Sequence, residues 1–313
     1  SGASTSGTGS GTSILLGNTA GSFDPAINLT QGRIALAIAN FDQDKYHDLV
    51  VDNGSGSLSI FFGSSSGLGA PVNLSFDARI FPEYIAVGNF NDDNRPDIAI
   101  ATRRFTDSPN TNSGVSILLQ NPDGTFSAPV NSLVGRLPQS IAVGDFDSDG
   151  KQDDLAVSSR VDNTVSILLA GSNGAFTNGP TIPVAGAYSI ATGKFDTDNT
   201  DDLAVTNNNP SNTSILLQKN PGTFTAAPNL AVSAGFVAAG DIDGDGKSDL
   251  AVPNGTYGVS VLIGKGNGEF SNPTDFPLSS SANSYQSVVV KDIDGDQRLD
   301  IAATSFNDNN VSI

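Results

Sequence analysis

The sequence contains no cysteine, no methionine and no tryptophan. Without cysteine there is no disulfide framework, no thiolate metal site and no thiol nucleophile. Glutamate is nearly missing as well, with Glu83 and Glu269 the only two among 33 acidic residues. His47 is the single histidine, so the commonest general acid–base has one candidate, and its place inside an Asp-rich loop reads as a solvated loop residue. No serine sits in a nucleophile-elbow motif. No apolar run approaches the roughly 18 residues of a membrane span, and no signal peptide is visible. Basic residues are scarce: 15 Lys and Arg against 33 acids leave a net charge of -18. Nucleic acid and anionic membranes are therefore poor partners.

What is present is aspartate, glycine and short apolar runs. Apolar residues make up 37% and charged residues 15%, a β-rich and turn-rich profile. An acidic surface kept only for solubility would use both carboxylates, whereas this one uses Asp, the residue of turns and metal loops.

Four pieces recur in fixed order. The first is an apolar run ending in an Asp loop: IALAIANFDQD from Ile34, YIAVGNFNDD from Tyr84, SIAVGDFDSDG from Ser140, SIATGKFDTD from Ser189, FVAAGDIDGDG from Phe236 and SVVVKDIDGD from Ser287. The second follows at once: DLVV at Asp48, DIAI at Asp97, DLAV at Asp154, Asp202 and Asp249, and DIAA at Asp300. The third is a VSILL-like run, from SILL at Ser13 to VSI at Val311. The fourth is a Gly-x-Phe turn at Phe23, Phe126, Phe176, Phe224 and Phe270, with Leu68 replacing Phe once. The loop residues Phe41, Phe90, Phe146, Phe195, Ile242 and Ile293 advance in steps of 49, 56, 49, 47 and 51.

Each piece is too short for a helix and is bounded by Gly, Asn, Asp or Pro. Four short strands at a period near 50 read as an all-β fold, a β-propeller of four-stranded blades. Six Asp loops imply six blades, with seven as the alternative. The segment from about Thr12 to Leu29 is the back half of a repeat and Ser287 to Ile313 the front half, so pairing of the N- and C-terminal strands is expected to close the ring. The third strand occurs seven times and the others six, leaving one copy surplus. Residues 1–11 read as a flexible Ser/Gly/Thr-rich tail, and residues 12–313 as a single propeller domain.

The fifth loop runs Asp241, Ile242, Asp243, Gly244, Asp245, Gly246, Lys247, Ser248, Asp249. Carboxylates at positions 1, 3, 5 and 9, with a backbone carbonyl from Lys247 at position 7, make a hard-oxygen set suited to calcium. Gly246 permits the sharp turn. The sixth loop offers Asp292, Asp294, Asp296, Asp300 and the carbonyl of Arg298. The third offers Asp145, Asp147, Asp149 and the carbonyl of Lys151, with an extra residue that leaves Asp153 or Asp154 to close it. The first has Asn40, Asp42, Asp44, Tyr46 (carbonyl) and Asp48. The second has Asn89, Asn91, Asp93, Arg95 (carbonyl) and Asp97, a weaker set. The fourth keeps Asp196, Asp198, Thr200 (carbonyl) and Asp202 but starts with Lys194, whose ammonium opposes a divalent ion. The bland alternative is a set of plain Asp-Gly turns. Six in register favour the metal, because bare clusters of like charge are costly.

The pattern of IAVGDFDSDG, DLAV and VSILL resembles the FG-GAP repeat, also called the VCBS-type repeat, over nearly the whole chain from Thr12 to Ile313. That resemblance implies a propeller, usually of seven blades, with several structural Ca2+ ions in the loops between first and second strands. It does not fix a ligand.

The expected function is an extracellular, calcium-binding, non-catalytic adhesion or protein-interaction module, whose partner is a protein or glycan on a cell surface or matrix. The insertions Arg103 to Ser113 and Asn207 to Asn212 are candidate binding loops. A lectin-like propeller is the alternative. Tyr84, Tyr188 and Tyr285 all precede first strands; packing within the blades is the favoured reading of them, and a cluster at one mouth of the ring is the alternative. A calcium-assisted polysaccharide lyase or hydrolase ranks lower, because no residue pattern supports one. The half-repeats at both ends also admit strand exchange into an oligomer.

Overall fold

Apolar runs of four to seven residues, cut by Asp, Asn, Gly and Pro, leave room for strands and tight turns only. The computed structural model describes residues 12–16, 23, 25–29, 35–54, 56–77, 80–104, 114–232, 235–254, 258–278, 285–305 and 310–313, and every regular element among them is a β-strand. The first two strands, β1 (Ser13–Ile14) and β2 (Ile27–Asn28), form a two-stranded sheet. Blade one is β3 (Leu36–Ala39), β4 (Asp48–Asp52), β5 (Ser57–Phe61) and β6 (Val72–Ser75). Blade two is β7 (Ile80–Gly88), β8 (Asp97–Arg104), β9 (Gly114–Leu118) and β10 (Val130–Leu133). Blade three is β11 (Pro138–Gly144), β12 (Asp154–Ser159), β13 (Thr164–Ala170) and β14 (Phe176–Pro183). Blade four is β15 (Ala187–Gly193), β16 (Asp202–Asn208), β17 (Ser211–Asn220) and β18 (Thr223–Ala226). Blade five is β19 (Ala238–Gly240), β20 (Asp249–Pro253), β21 (Gly258–Leu262) and β22 (Thr274–Pro277). Blade six has three strands, β23 (Tyr285–Lys291), β24 (Asp300–Ser305) and β25 (Asn310–Ser312). The molecule is a six-bladed β-propeller in which each blade is an antiparallel meander.

Burial within a blade follows the chemistry of its strands. The second strands β4, β12 and β20 and the third strands β9 and β21 are buried along their full length, because neighbouring blades cover both of their faces. Their Val, Leu, Ile and Ala fit such a double-faced position. The fourth strands are mostly exposed, β22 along all of its length. The apolar clusters lie between blades: Ile190 of blade four joins Ala142, Phe146, Val165 and Ile167 of blade three.

An aromatic staple repeats around the ring. In loops one to four the Phe in the middle of the Asp loop meets, edge to face, the Phe of the next blade's Gly-x-Phe turn. The pairs are Phe41–Phe126 at 5.8 Å, Phe90–Phe176 at 5.7 Å, Phe146–Phe224 at 6.0 Å and Phe195–Phe270 at 5.4 Å. Such pairs contribute about 1 kcal/mol each beyond the area they bury. The glycine two residues earlier makes room for the ring. A Cβ on Gly144 would lie 2.7 Å from Phe146, and one on Gly193 2.6 Å from Phe195.

Closure differs from the expectation. Among the described residues, no hydrogen bonding joins the two chain ends. The edge of β24 that β1 would need is already taken by β25, the other copy of the third strand. The surplus copy is therefore β1, which stays paired with β2. Ile14 and Leu29 pack instead on Leu49, Val51 and Phe61 of blade one. The expected insertion Asn207 to Asn212 is a hairpin end: Asn207 pairs with Asn212 and Asn208 with Ser211 across a two-residue turn. Residues 1–11 and most of the Arg103 to Ser113 insertion lie outside the described residues.

Candidate metal centres

All six Asp loops join a first strand to a second strand, so the meander brings them to one end of the ring. Each is a chain of side-chain-to-backbone turns. In loop five the Asp245 N–H donates to Asp243 Oδ1 at 3.1 Å and the Lys247 N–H to Asp245 Oδ1 at 3.0 Å. Loop six repeats this with Asp296 to Asp294 at 3.0 Å and Arg298 to Asp296 at 2.8 Å. Loop three has Asp149 to Asp147 at 3.0 Å and Lys151 to Asp149 at 2.9 Å. Positions 4 and 6 adopt positive φ: Gly244 and Gly246 in loop five, Ser148 and Gly150 in loop three. Loop five has glycine at both, so it avoids the roughly 1 kcal/mol that a side chain costs in that region.

The Asp at the end of each of loops one to five does more than the sequence suggested. One Asp249 oxygen accepts the Ile242 and Asp243 N–H groups at 2.8 and 3.2 Å, and the other accepts the Gly264 N–H at 2.7 Å. Asp202 bridges Phe195 and Gln218 at 2.8 Å each, Asp97 bridges Phe90 and Gln120 at 2.8 and 2.7 Å, and Asp48 bridges Phe41 and Gly63 at 2.6 and 2.7 Å. These carboxylates are buried and act as latches, tying the loop to the end of the third strand. In loop three the latch is Asp154, which accepts from Phe146, Asp147 and Ala170 at 2.8, 3.0 and 2.7 Å. Asp153 is therefore not the counterpart of the closing residue: the extra residue in this loop moves that role one position on. It stays buried beside Asp154.

Four groups of carboxylates offer oxygens that all lie within 4.8 Å of one another: Asp145, Asp147 and Asp149; Asp196, Asp198 and Asp202; Asp241, Asp243 and Asp245; and Asp292, Asp294 and Asp300. These clusters can hold metal ions. Asp296 stands outside the sixth group, and the carboxylates of loops one and two do not converge in this way. In those two loops the buried Asn40 Oδ1 and Asn91 Oδ1 accept no hydrogen bond. An oxygen ligand waiting for a cation has this character. Burial pushes Asp97, Asp153, Asp154 and Asp202 up to about 6, the direction expected for carboxylates that lack a counter-ion.

Loop four differs. Lys194 turns away and donates to Asn199 Oδ1 at 2.9 Å. A second lysine, Lys219 at the end of β17, places its ammonium on Asp196 and 3.3 Å from Asp198 Oδ2. Its charge stands where an ion would. Neither Lys219 nor Asp201 was read from the sequence as a site residue. Asp201 is buried and accepts the Asp145 N–H at 2.9 Å and Gln152 Nε2 at 2.5 Å, fixing loop three from the next blade. The signal for Asp201 was the doubled Asp ahead of Leu-Ala-Val, which also marks Asp153–Asp154.

The tyrosines at the other mouth of the ring pack against a phenylalanine. Tyr84 lies 6.1 Å from Phe236 with near-parallel rings, and Tyr188 meets the same ring edge-on at 5.6 Å. Blades two, four and five thus fill the axis with one aromatic cluster, and its rings face each other. Desolvation raises the Tyr84 hydroxyl above its ordinary pKa. The side chain of Tyr285 lies outside the described residues. His47 is exposed.

The family model for FG-GAP-like repeats matches residues 89–155, 194–252 and 241–303, together more than half of the chain. No curated protein matches by sequence. Among solved structures, a protein from Lactobacillus plantarum superposes with a TM-score of 0.63 at 13% identity, over 99% of this chain and 92% of its own. A lectin of Agrocybe aegerita that recognises non-reducing terminal N-acetylglucosamine gives 0.61 at 17% identity, over 92% and 81%. A candidate 6-phosphogluconolactonase of Bacteroides uniformis gives 0.58 at 12% identity, over 98% and 92%. At these identities the likeness establishes the fold alone.

Proposed function

The chain belongs to the FG-GAP-like repeat family, and from that premise we propose that it is an extracellular, calcium-stabilised propeller serving as a non-catalytic adhesion or protein-interaction module. The observation that carries the calcium reading is the convergence of three carboxylates in each of loops three, five and six. Asp145, Asp147 and Asp149, then Asp241, Asp243 and Asp245, then Asp292, Asp294 and Asp300 are the ligating side chains, and Asp300 also accepts the Ile293 N–H within its own loop. Asp42, Asp44, Asn40, Asn89, Asn91 and Asp93 form two weaker sites. Calcium supplies positive charge and oxygen coordination, and the role is structural: it relieves repulsion among carboxylates held in place by their own turns. Extracellular calcium near millimolar suits weak sites of this kind.

The non-catalytic reading rests on the use of the acidic groups as latches, on their proposed use as ion ligands, and on the exposed position of the only histidine. The partner is a protein or glycan presented on a surface. The glycan alternative takes its support from the lectin-like fold. Such a ligand would bind through the loops, because the Tyr84–Phe236–Tyr188 cluster has no free ring stack to offer. Thermal unfolding in calcium and then in excess chelator, with metal content by mass spectrometry, tests the proposal. A large loss of Tm and several calcium ions per chain are expected; no metal and no shift would remove the calcium reading.

A further inference from the structure

Loop five has the most regular sequence of the ion loops, with Asp at positions 1, 3, 5 and 9 and glycine at 4 and 6. Contacts between blades favour loop three instead. In blades four and five the residue just before the latch reaches back to the loop of the preceding blade. Asp201 accepts the Asp145 N–H at 2.9 Å, and Ser248 Oγ accepts the Lys194 N–H at 2.9 Å, so each holds position 1 of its neighbour's loop. Pro96 and Leu299 take that place for loops one and five, and neither side chain carries an acceptor. Asp153 takes it for loop two and makes no such bond among the described residues. In loop four Lys219 already covers Asp196 and Asp198. Among the described residues, loop three is thus the one open ion loop whose first ligand is anchored from another blade.

Asp201 is buried, and the oxygen that accepts the Asp145 N–H also accepts Gln152 Nε2 at 2.5 Å. Gln152 directly follows Lys151, the residue with the expected carbonyl ligand. One carboxylate of blade four therefore fixes both ends of loop three. The Asp145 side chain is held in turn by the Asp149 and Gly150 N–H groups at 3.1 and 2.9 Å. Asp145 and Asp201 also line one polar cleft of about 300 Å³ between loops three and four. The lysines at position 7 differ as well. Lys247 places its ammonium on Asp245 of its own loop, where an ion has to displace it. Lys151 is drawn off toward blade two, its ammonium lying 2.6 Å from Asp92 and 3.2 Å from Asp149. In loop six Asp296 stands outside the converging group.

On the premise that these loops hold calcium, we propose that loop three is the primary site, filled before loops five and six. Asp201 and Asp92, neither of them an ion ligand, set its affinity as positioning residues from the two neighbouring blades. A ligand set held in place before the ion arrives loses less freedom on binding. Loop five must instead give up an internal ion pair and order two glycines. Loop four supplies its anchor without an ion of its own. Lys219 offsets the charge of Asp196 and Asp198, and Asp202 ties the loop to Gln218 of β17, so Asp201 stands in place at any calcium level. The coupling is reciprocal: an ion in loop three steadies the start of β16, where Asp201 precedes Asp202.

Calcium titration of the metal-free whole protein tests this, with native mass spectrometry for the ion count and calorimetry for affinity. One step tighter than the rest is expected. It should vanish in Asp147→Ala and survive in Asp243→Ala and Asp294→Ala, which remove weaker steps. Asp201→Ala should weaken the tight step by about tenfold or more and leave the others in place; general damage to the fold would move them all. Asp201→Asn keeps an acceptor oxygen and should recover part of the loss. Asp92 is 42% exposed and adopts positive φ, which asparagine tolerates. Asp92→Asn should therefore fold normally and weaken the tight step by about threefold, the worth of a surface ion pair, as Lys151 settles on Asp149. Steps of equal affinity, loss of the tight step in Asp243→Ala, or a tight step unmoved in both Asp201→Asn and Asp92→Asn would overturn the proposal and leave calcium binding intact. A parent that takes up no calcium would overturn both.

Discussion

Asp249→Ala separates the latch from the ion site. The Asp249 carboxylate accepts three backbone N–H groups, from Ile242, Asp243 and Gly264, at a residue with no solvent exposure. Removing it leaves those donors in a buried place with no acceptor, at about 1–3 kcal/mol for each one left unsatisfied. Burial raises the pKa of this carboxylate, so its removal also relieves some desolvation cost and offsets part of the loss. A net destabilisation of about 3 kcal/mol follows, and it should persist in chelator, because the lost bonds are to the backbone. Asp243→Ala is the contrast. Asp243 is exposed and holds one N–H, that of Asp245 at 3.1 Å, so in chelator it should cost under about 1 kcal/mol. In calcium its cost should grow, because an ion ligand is then lost as well. Urea unfolding of the parent and both variants, in calcium and in chelator, reads all of this. If Asp249→Ala were harmless in chelator, or if both variants lost stability only in calcium, the latch reasoning would be refuted.

Two further outcomes are expected. Lys194→Asp combined with Lys219→Ser should give loop four the carboxylate it lacks and remove the ammonium on Asp196 and Asp198. Native mass spectrometry should then count one more bound calcium per chain than in the parent, and an unchanged count would show that Lys219 is not what keeps the ion out. In chelator, stability should fall as pH rises from about 4 to about 6. Asp97, Asp153, Asp154 and Asp202 stand near 6 in the fold against an ordinary 3.8, so over that range the folded chain holds more protons than the unfolded one. Calcium should flatten that slope, and a urea midpoint that rose with pH in chelator would contradict it.

The strands were legible because each repeat states its own period: Ile85, Ile141, Ile190 and Val288 stand at one register position in sequence and structure alike. The loop ligands were legible from the 1-3-5 spacing of Asp241, Asp243 and Asp245. Three features were not. The double duty of Asp249 depends on where Gly264 lies, and nothing in the loop's own sequence points across to the third strand. Lys219 sits 23 residues from Asp196, and only the fold brings it over the loop. The competition for the edge of β24 was half visible, since the census of third strands gave one too many, but which copy would stay outside is a matter of proximity in the chain.

Loop chemistry and ring mechanics meet at the second position of each loop. Phe146 lies between Asp145 and Asp147, two residues of a converging carboxylate cluster. Its ring is the staple to Phe224 of the next blade, its N–H is held by Asp154, and its carbonyl accepts the Gly222 N–H of that next blade at 2.7 Å. Phe195 repeats the arrangement with Phe270, Asp202 and the Gly268 N–H at 2.8 Å. Whatever stiffens the loop therefore stiffens the contact between two blades as well as the turn itself. In a ring where each blade packs chiefly on its two neighbours, the Tyr84–Phe236 contact across the axis aside, stability is nearly a sum over such contacts. An ion in loop three would thus act on the blade-three to blade-four junction, while in loop four Lys219 already performs that service for the junction to blade five.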